Sequence, residues 1–272
     1  MKKIIILTGS ELRHIFFRKF IALSDDIEVI HSYCEGLEQS LQTIVAAQHD
    51  NPLRTKHLMN REQSERDFFG LFLDNVPDNS RAMSLPKGAV HSPPYTVAII
   101  ESKPDLLIAY GCSIIREPLL SAFKGRFLNV HLGLSPYYRG SGTNYWPLVN
   151  NEPEYVGATF MYIDAGIDTG EIIHQIRARS VWGDTPSQIG NRLIVDMAYF
   201  YREIIRKFDV LERMTPLPRP DKVKVYKKKD FSEESVVTLY NNFANGLMER
   251  YLVEESERCR KAPIIRNPAL MR

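Results

Sequence analysis

An amide and an imidazole side chain, Asn129 and His131, stand two residues apart where an apolar run of the sequence ends. Two carboxylates, Asp164 and Asp168, follow further along in a turn that contains several glycines. An amide can polarise a carbonyl group, an imidazole can stabilise charge, and a carboxylate can accept or donate a proton. These residue types in this order indicate acyl transfer to an amine.

The same residues are expected to lie close together in the fold. Phe127–Val130 is typical of a buried strand, and side chains alternate across a strand, so Asn129 and His131 should point to the same side. The carboxyl end of a strand in an open α/β sheet faces the crevice that binds ligands. Val156–Ile163 is a second candidate strand, rich in β-branched and aromatic residues, and its loop should reach the same crevice.

Each of the three side chains suits one part of the reaction. The Asn129 NH2 group can donate a hydrogen bond to the oxyanion that forms when an amine attacks a carbonyl carbon. His131 can donate as well if it is protonated. Asp168 can hold His131 in its charged form, or accept the amine proton directly or through a water.

The ordered motifs resemble one known family. Asn-x-His from Asn129, then Ser-Pro-Tyr-Tyr-Arg-Gly, then Asp-x-Gly-x-Asp-Thr-Gly from Asp164, are similar to the formyltransferases that use N10-formyltetrahydrofolate. That family includes glycinamide ribonucleotide transformylase, methionyl-tRNA formyltransferase and the amino-sugar N-formyltransferases. The similarity is densest from Lys103 to Ile173. One departure is Leu132, where many relatives carry proline.

The resemblance implies a donor cosubstrate, N10-formyltetrahydrofolate, and a set of site residues. Asn129, His131 and Asp168 match the catalytic residues of the family. The segments whose backbone would hold the pterin match the following residues: Tyr110, Gly111, Cys112, Ser113, Ile114, Asp164, Ala165, Gly166 and Ile167. No metal is implied.

Acceptor-side residues are predicted from the neighbouring sequence. Arg139 and Gly140 have two open interpretations, a solvated turn or a lid near an anionic substrate. Trp146 can line the acceptor site or pack in the core against the next helix. Tyr137 belongs to the same motif and is included in the predicted acceptor set.

Composition limits the alternatives. The chain has 272 residues and a formal net charge of +2, so it carries no strong field for nucleic acid, and none is expected as a partner. Its three cysteines are widely spaced and form no disulfide framework or zinc motif, which favours a reducing, cytoplasmic location. No apolar run approaches the length of a membrane span.

Alternating strand and helix patterns predict an α/β fold. Lys3–Thr8 and Leu106–Tyr110 are near-continuous apolar runs, typical of parallel strands that are buried on both faces. We expect an open, mostly parallel, Rossmann-like twisted sheet with helices on both faces. Helices are predicted over Glu11–Leu23, capped by Ser10, over Ile114–Phe123, and over Ser232–Glu254.

A dinucleotide dehydrogenase is the natural competitor for a chain that opens with a strand and a helix. Gly9 is a lone glycine after the first strand, and no G-x-G-x-x-G motif follows it. Nicotinamide chemistry is therefore disfavoured.

The predicted organisation is a catalytic domain over residues 1–210, with a long insertion around 35–93, followed by a small, mainly helical extension over 211–272. This extension is too short and too helical for the OB-type, tRNA-binding barrel that the resemblance associates with methionyl-tRNA enzymes. The insertion or the extension is expected to shape the acceptor pocket.

The favoured acceptor is a small molecule, the primary amine of a nucleotide-linked amino sugar. Two alternatives stay open. One is formyl transfer to another small amine, of the glycinamide ribonucleotide or hydroxyornithine type. The other is a formyltetrahydrofolate hydrolase, which would use the same three residues with water as the acceptor. A homodimer is also left open.

Overall fold

A seven-stranded sheet forms the centre of the computed structural model, which describes residues 1–38, 41–48, 51–166, 170–218 and 223–271. The strands of this sheet are β1 (Lys2–Thr8), β2 (Ile27–Glu35), β3 (Ala82–Leu85), β4 (Leu106–Tyr110), β5 (Phe127–His131), β7 (Gly157–Tyr162) and β8 (Ile172–Arg177). They lie in the order β3-β2-β1-β4-β5-β7-β8. Pairs from β3 to β5 are parallel, whereas β7 is antiparallel to both β5 and β8. A separate parallel pair joins β6 (Tyr138–Gly140) to β9 (Lys224–Tyr226).

Helices cover both faces of the sheet, so the predicted fold class is confirmed. The helices are α1 (Leu12–Ala22), α2 (Leu41–Ala46), α3 (Pro52–Asn75), α4 (Pro93–Glu101), α5 (Leu119–Ala122), α6 (Trp146–Val149), α7 (Pro186–Arg206), α8 (Glu233–Ala244) and α9 (Leu247–Lys261). No helix within the described ranges combines the length and apolar character that a membrane span requires.

The two core layers follow from the alternation of side chains along β1. Ile4 and Ile6 point into a layer that also contains Phe17 of α1 and Met197 of α7. Ile5 and Leu7 point to the opposite layer, which contains Ile99 of α4. Because both faces of β1 are covered by apolar side chains, its sequence is a continuous apolar run rather than an alternating one.

Three predicted helices differ from the structure at their ends. The helix predicted over Ile114–Phe123 is only α5, because Pro118 has no N–H to donate and its ring disfavours a preceding helical turn. The single C-terminal helix is two helices, separated at Gly246, whose φ of +77° is the left-handed conformation that ends helices. Glu11, not Ser10, is the N-cap of α1.

The C-terminal segment packs onto the body of the protein. Helix α8 contacts α3 and α6, and α9 contacts α8 and the turn at Pro153–Tyr155. The Asn267 backbone N–H donates to His174 Nδ1 of β8 at 3.0 Å. The division into residues 1–210 and 211–272 stays a prediction.

His174 predicts an acid-sensitive contribution to stability. Burial, and secondarily the charge of Arg266, lower the pKa of His174 from 6.5 to about 4. The unfolded chain therefore binds a proton at this residue before the folded chain does, and the free energy of unfolding falls as the pH drops from about 6.5 towards 4, by at most about 1.4 kcal/mol per pH unit.

His174→Asn keeps an acceptor near the Asn267 N–H but cannot titrate. We expect urea denaturation across this pH range to show that the free energy of unfolding depends less steeply on pH in the variant. The difference in slope should correspond to the uptake of up to one proton on unfolding. Identical slopes in the two proteins would contradict a buried, neutral His174.

Candidate active site

Strand β5 places Asn129 and His131 on the same side, two residues apart, and both side chains are partly exposed. Asn129 is paired with Ala109 of β4 on one side and with Met161 of β7 on the other. His131 is paired with Thr159. The amide and the imidazole are thus presented from the centre of the sheet, where neighbouring strands fix their backbone.

The loop after His131 is held by buried polar side chains. Thr159 Oγ1 donates to the Gly133 carbonyl at 2.7 Å and accepts from the Ser135 N–H at 3.1 Å. Gln175 Nε2 donates to the Ser135 carbonyl at 2.6 Å and to Thr159 Oγ1 at 2.9 Å. Because these groups are buried and hydrogen-bonded, they fix the path of the chain that leaves His131.

Gly133 has no side chain, and the imidazole of His131 occupies part of the space that a side chain would need. A Cβ atom at this position would lie 2.9 Å from His131 Nε2 and 2.5 Å from the Cβ of Thr143. The Thr143 hydroxyl in turn donates to the Leu132 carbonyl. A larger residue at 133 would therefore displace either the ring or this loop.

A cavity of about 570 Å³ opens in front of Asn129 and His131. Its wall draws residues from both core layers of the sheet. Ile115 and Ile163 belong with the layer of α4, whereas Tyr110 and Ile194 belong with the layer of α1 and α7. Residues of both core layers therefore line the cavity, and its two parts differ in the elements that line them.

Most of the predicted pterin-binding segments line this cavity. The residues concerned are Tyr110, Gly111, Cys112, Ser113, Ile114, Asp164 and Gly166. The Gly166 N–H donates to Asp164 Oδ1 at 2.9 Å, which is typical of a turn shaped by an aspartate. Ala165 is not among the lining residues, and Ile167 and Asp168 lie outside the described residues.

Glu35 at the end of β2 holds the loop that follows β4. Its side chain is 2% exposed, and it accepts hydrogen bonds from the Ser113 N–H at 2.6 Å and the Gly88 N–H at 3.0 Å. The Lys87 ammonium lies 3.0 Å from the same carboxylate. Burial, and then the charge of Glu35, raise the pKa of the Cys112 thiol to about 12, so this cysteine is not poised as a nucleophile.

The predicted acceptor-side residues divide into two groups. Gly140 and Trp146 line the cavity, whereas Tyr137 and Arg139 are not among its lining residues. The Tyr137 hydroxyl donates instead to the Pro263 carbonyl at 2.7 Å.

The wall at Gly140 and Trp146 is completed by the C-terminal segment. The Trp146 ring stacks on Tyr226 of β9, with ring centroids 4.2 Å apart. Gly140 has a φ of +90°, and a Cβ atom there would lie 2.1 Å from the Tyr226 carbonyl oxygen. Lys227 and Phe231, which follow β9, also line the cavity.

Several lining residues were not predicted from the sequence. They come from the start of α1 and from α3, and they are Glu11, Arg13, His14, His57, Leu58, Arg61 and Glu65. Charged residues on a long helix normally indicate a solvated face. Only the packing of α3 against α1 and α7 turns part of this helix towards the cavity.

The described ranges contain no group of His, Cys, Asp and Glu side chains arranged to hold a metal ion.

Comparison with known families gives a match over the middle of the chain. The family model described as "Formyl transferase" matches residues 78–201. A methionyl-tRNA formyltransferase of Desulforamulus reducens is 36% identical over 131 residues, which are 47% of this chain and 40% of that protein. The corresponding enzyme of Acetivibrio thermocellus is 32% identical over 141 residues, which are 50% of this chain and 44% of that protein. The chain thus spans less than half the length of these curated relatives.

Solved structures share the fold at low sequence identity. A sugar N-formyltransferase from a Shewanella species has a TM-score of 0.55 and 18% identity, covering 85% of this chain and 78% of that chain. A phosphoribosylglycinamide formyltransferase from Anaplasma phagocytophilum has a TM-score of 0.54 and 13% identity, covering 83% of this chain and 98% of that chain.

The matched residues include the strand that carries Asn129 and His131 and the loop that contains Asp164, so the motifs on which the resemblance was based lie inside the family match. Residues 78–201 of this chain are therefore similar to the formyl transferase family.

Proposed function

We propose that this protein transfers a formyl group from N10-formyltetrahydrofolate to a primary amine. The observation that carries the proposal is that one cavity is lined both by Asn129 and His131 and by the loop after β4. A formyl donor on that loop and an amine beside the two side chains would therefore share one space. The family match over residues 78–201 supports the same reaction class.

The residues on the donor side fit a flat, heteroaromatic ring. Ala109, Ile115, Met161 and Ile163 give this part of the wall an apolar character, which suits the faces of a pterin. Gly111 has a φ of +71° and lines the cavity with backbone, which suits the hydrogen-bonding edge of the ring. The folate supplies a formyl carbon that is bonded to nitrogen.

The side chains of Asn129, His131 and Asp168 would stabilise the developing negative charge and remove a proton during the reaction. Asn129 Nδ2 donates a hydrogen bond to the formyl oxygen as it gains negative charge in the tetrahedral intermediate. His131 stabilises the same charge as a second donor. Asp168, by family resemblance, assists removal of the proton from the attacking amine.

The acceptor that we propose is a nucleotide-linked amino sugar. We call the loop after β4 the donor loop. The part of the cavity away from it combines aromatic and polar side chains, from His57, Tyr145, Trp146 and Phe231. Sugar rings pack on aromatic surfaces while their hydroxyl groups bind polar side chains, so this wall suits them. A cytoplasmic location and a homodimer remain predictions.

Release of tetrahydrofolate separates this reaction from its competitors. We expect release only when an amine is present, and faster release with nucleotide-linked amino sugars than with glycinamide ribonucleotide or hydroxyornithine. Release in the absence of any amine would indicate a hydrolase. Binding of the folate without release under any condition would contradict formyl transfer.

Removal of the Asn129, His131 or Asp168 functional group should strongly reduce turnover without unfolding the protein. We expect Asn129→Ala, His131→Ala and Asp168→Asn each to lower kcat by about 10²–10³, because one donor or proton acceptor in the transition state is lost. Circular dichroism and thermal unfolding would serve as folding controls. Normal turnover by a folded His131→Ala protein would contradict the assignment of His131 as a catalytic residue.

Glu35 should act on the donor through the loop that it holds. Glu35→Gln replaces one of two accepting oxygens with an NH2 group that faces backbone and ammonium donors. We expect about a tenfold higher KM for the folate and a much smaller change in kcat, since a misplaced loop weakens donor binding.

Glu28→Gln on the same strand is the matched control, because Glu28 lies outside the cavity wall. Equal folate KM values in the two variants would show that Glu35 does not position the donor loop.

A further inference from the structure

Four charged side chains form an ion-pair cluster on the cavity wall: Glu11, Arg13, Arg61 and Glu65. Arg13 Nη1 donates to Glu65 Oε1 at 2.7 Å, and its other terminal nitrogen is paired with Glu11. Arg61 lies 3.5 Å from Glu11 and 3.8 Å from Glu65. The side chains are between 5% and 28% exposed, so they face the cavity rather than open solvent.

The hydroxyl of Tyr110 is buried beside this cluster and has no hydrogen-bond partner among the described residues. Tyr110 is 3% exposed, lines the cavity, and has its ring 4.8 Å from that of His14 and 5.3 Å from that of Phe17. A buried hydroxyl without a partner is costly, and such groups are commonly satisfied by a bound ligand or water.

The formal charge of the cluster is zero, because two guanidinium groups face two carboxylates. His14 adds none, since burial and then the charge of Arg13 lower its pKa well below the ordinary value. Its Nδ1 instead accepts from the Glu11 N–H at 3.3 Å. The wall therefore offers strong donors and strong acceptors together, without a surplus of either charge.

This balance disfavours a phosphate at the start of α1. A helix N-terminus normally attracts anions, but here Glu11 stands at that position and Glu65 lies across from it. An entering phosphate would meet two carboxylates that already neutralise Arg13. A hydroxyl group can accept from a guanidinium and donate to a carboxylate, so it matches both halves of the cluster.

We propose that this ion-pair cluster and the Tyr110 hydroxyl form a recognition subsite for an uncharged, hydroxyl-bearing ring of the acceptor, and that the phosphate of the acceptor binds elsewhere in the cavity. Lys227 is a cation on the cavity wall that is exposed and suits the phosphate. This inference rests on the proposed function, because it assumes that the cavity binds an acceptor.

Binding measurements test the subsite without requiring turnover. The probes are a dTDP-linked amino-dideoxyhexose and dTDP itself, titrated by calorimetry against wild type and variants. We expect Glu65→Gln and Tyr110→Phe each to weaken binding of the sugar nucleotide about tenfold, which is the usual effect of one lost hydrogen bond in a buried site. Binding of dTDP should change less than twofold.

Glu62→Gln is the matched control, because Glu62 lies on the same helix, is more than half exposed and is not among the lining residues. It should bind both probes like wild type. Tyr110→Phe removes a single oxygen, so it keeps the test informative if Glu65→Gln is poorly folded.

Two outcomes would overturn the subsite. Tighter binding of dTDP by Glu65→Gln would show that a phosphate lies beside this carboxylate. Equal affinity of wild type for the sugar nucleotide and for dTDP would show that the sugar ring is not recognised. Neither result would contradict formyl transfer, which is tested separately by the amine-dependent release of tetrahydrofolate.

Discussion

The antiparallel pairing of β7 with β5 is the constraint on which the site depends. Because the strands run in opposite directions, the end of β5 at His131 lies beside the first half of β7. Thr159 of β7 is therefore the residue paired with His131. The Thr159 hydroxyl can then bond the chain just after His131, and Gln175 of the next strand completes this network. Because the hydrogen-bonded groups are buried, any change in the register of these strands would leave polar atoms without partners. The positions of Asn129 and His131 are thereby tied to the centre of the sheet.

The cavity joins two environments because residues of both core layers of the sheet line it. Near Ile115 and Ile163 the wall is apolar and contains backbone of the loop after β4, which Glu35 holds in place. On the other side, helices α1 and α3 present an ion-pair cluster and a neutral histidine. A flat ring and a polar, hydroxylated group would each be favoured in one part only. In the proposed reaction, this difference directs donor and acceptor to opposite sides of Asn129.

Segments far apart in the sequence complete the wall. Strand β9 lies beside β6, and its Tyr226 covers both Trp146 and Gly140. The carboxylate of Glu233 in α8 accepts from the backbone N–H groups at the start of α3, so the C-terminal segment also anchors the helix that carries Arg61 and Glu65. The shape of this part of the cavity wall is therefore a property of long-range packing, to which α3 and the C-terminal segment both contribute.

The sequence by itself determined the class of the sheet, the position of β4 and β5, and the pairing of an amide with an imidazole on one side of a strand, because strand alternation and apolar runs are local properties. It also determined the family motifs. Tertiary structure decided the antiparallel end of the sheet, the division of the C-terminal helix at Gly246, and the cavity-facing role of α3. Periodicity shows which residues share a face of a helix but not what that face meets, so Arg61 and Glu65 could not be distinguished from surface charges. The contact of the loop after β4 with Glu35 could not be predicted either, since it joins residues that are close only after β1, β2 and β4 have paired.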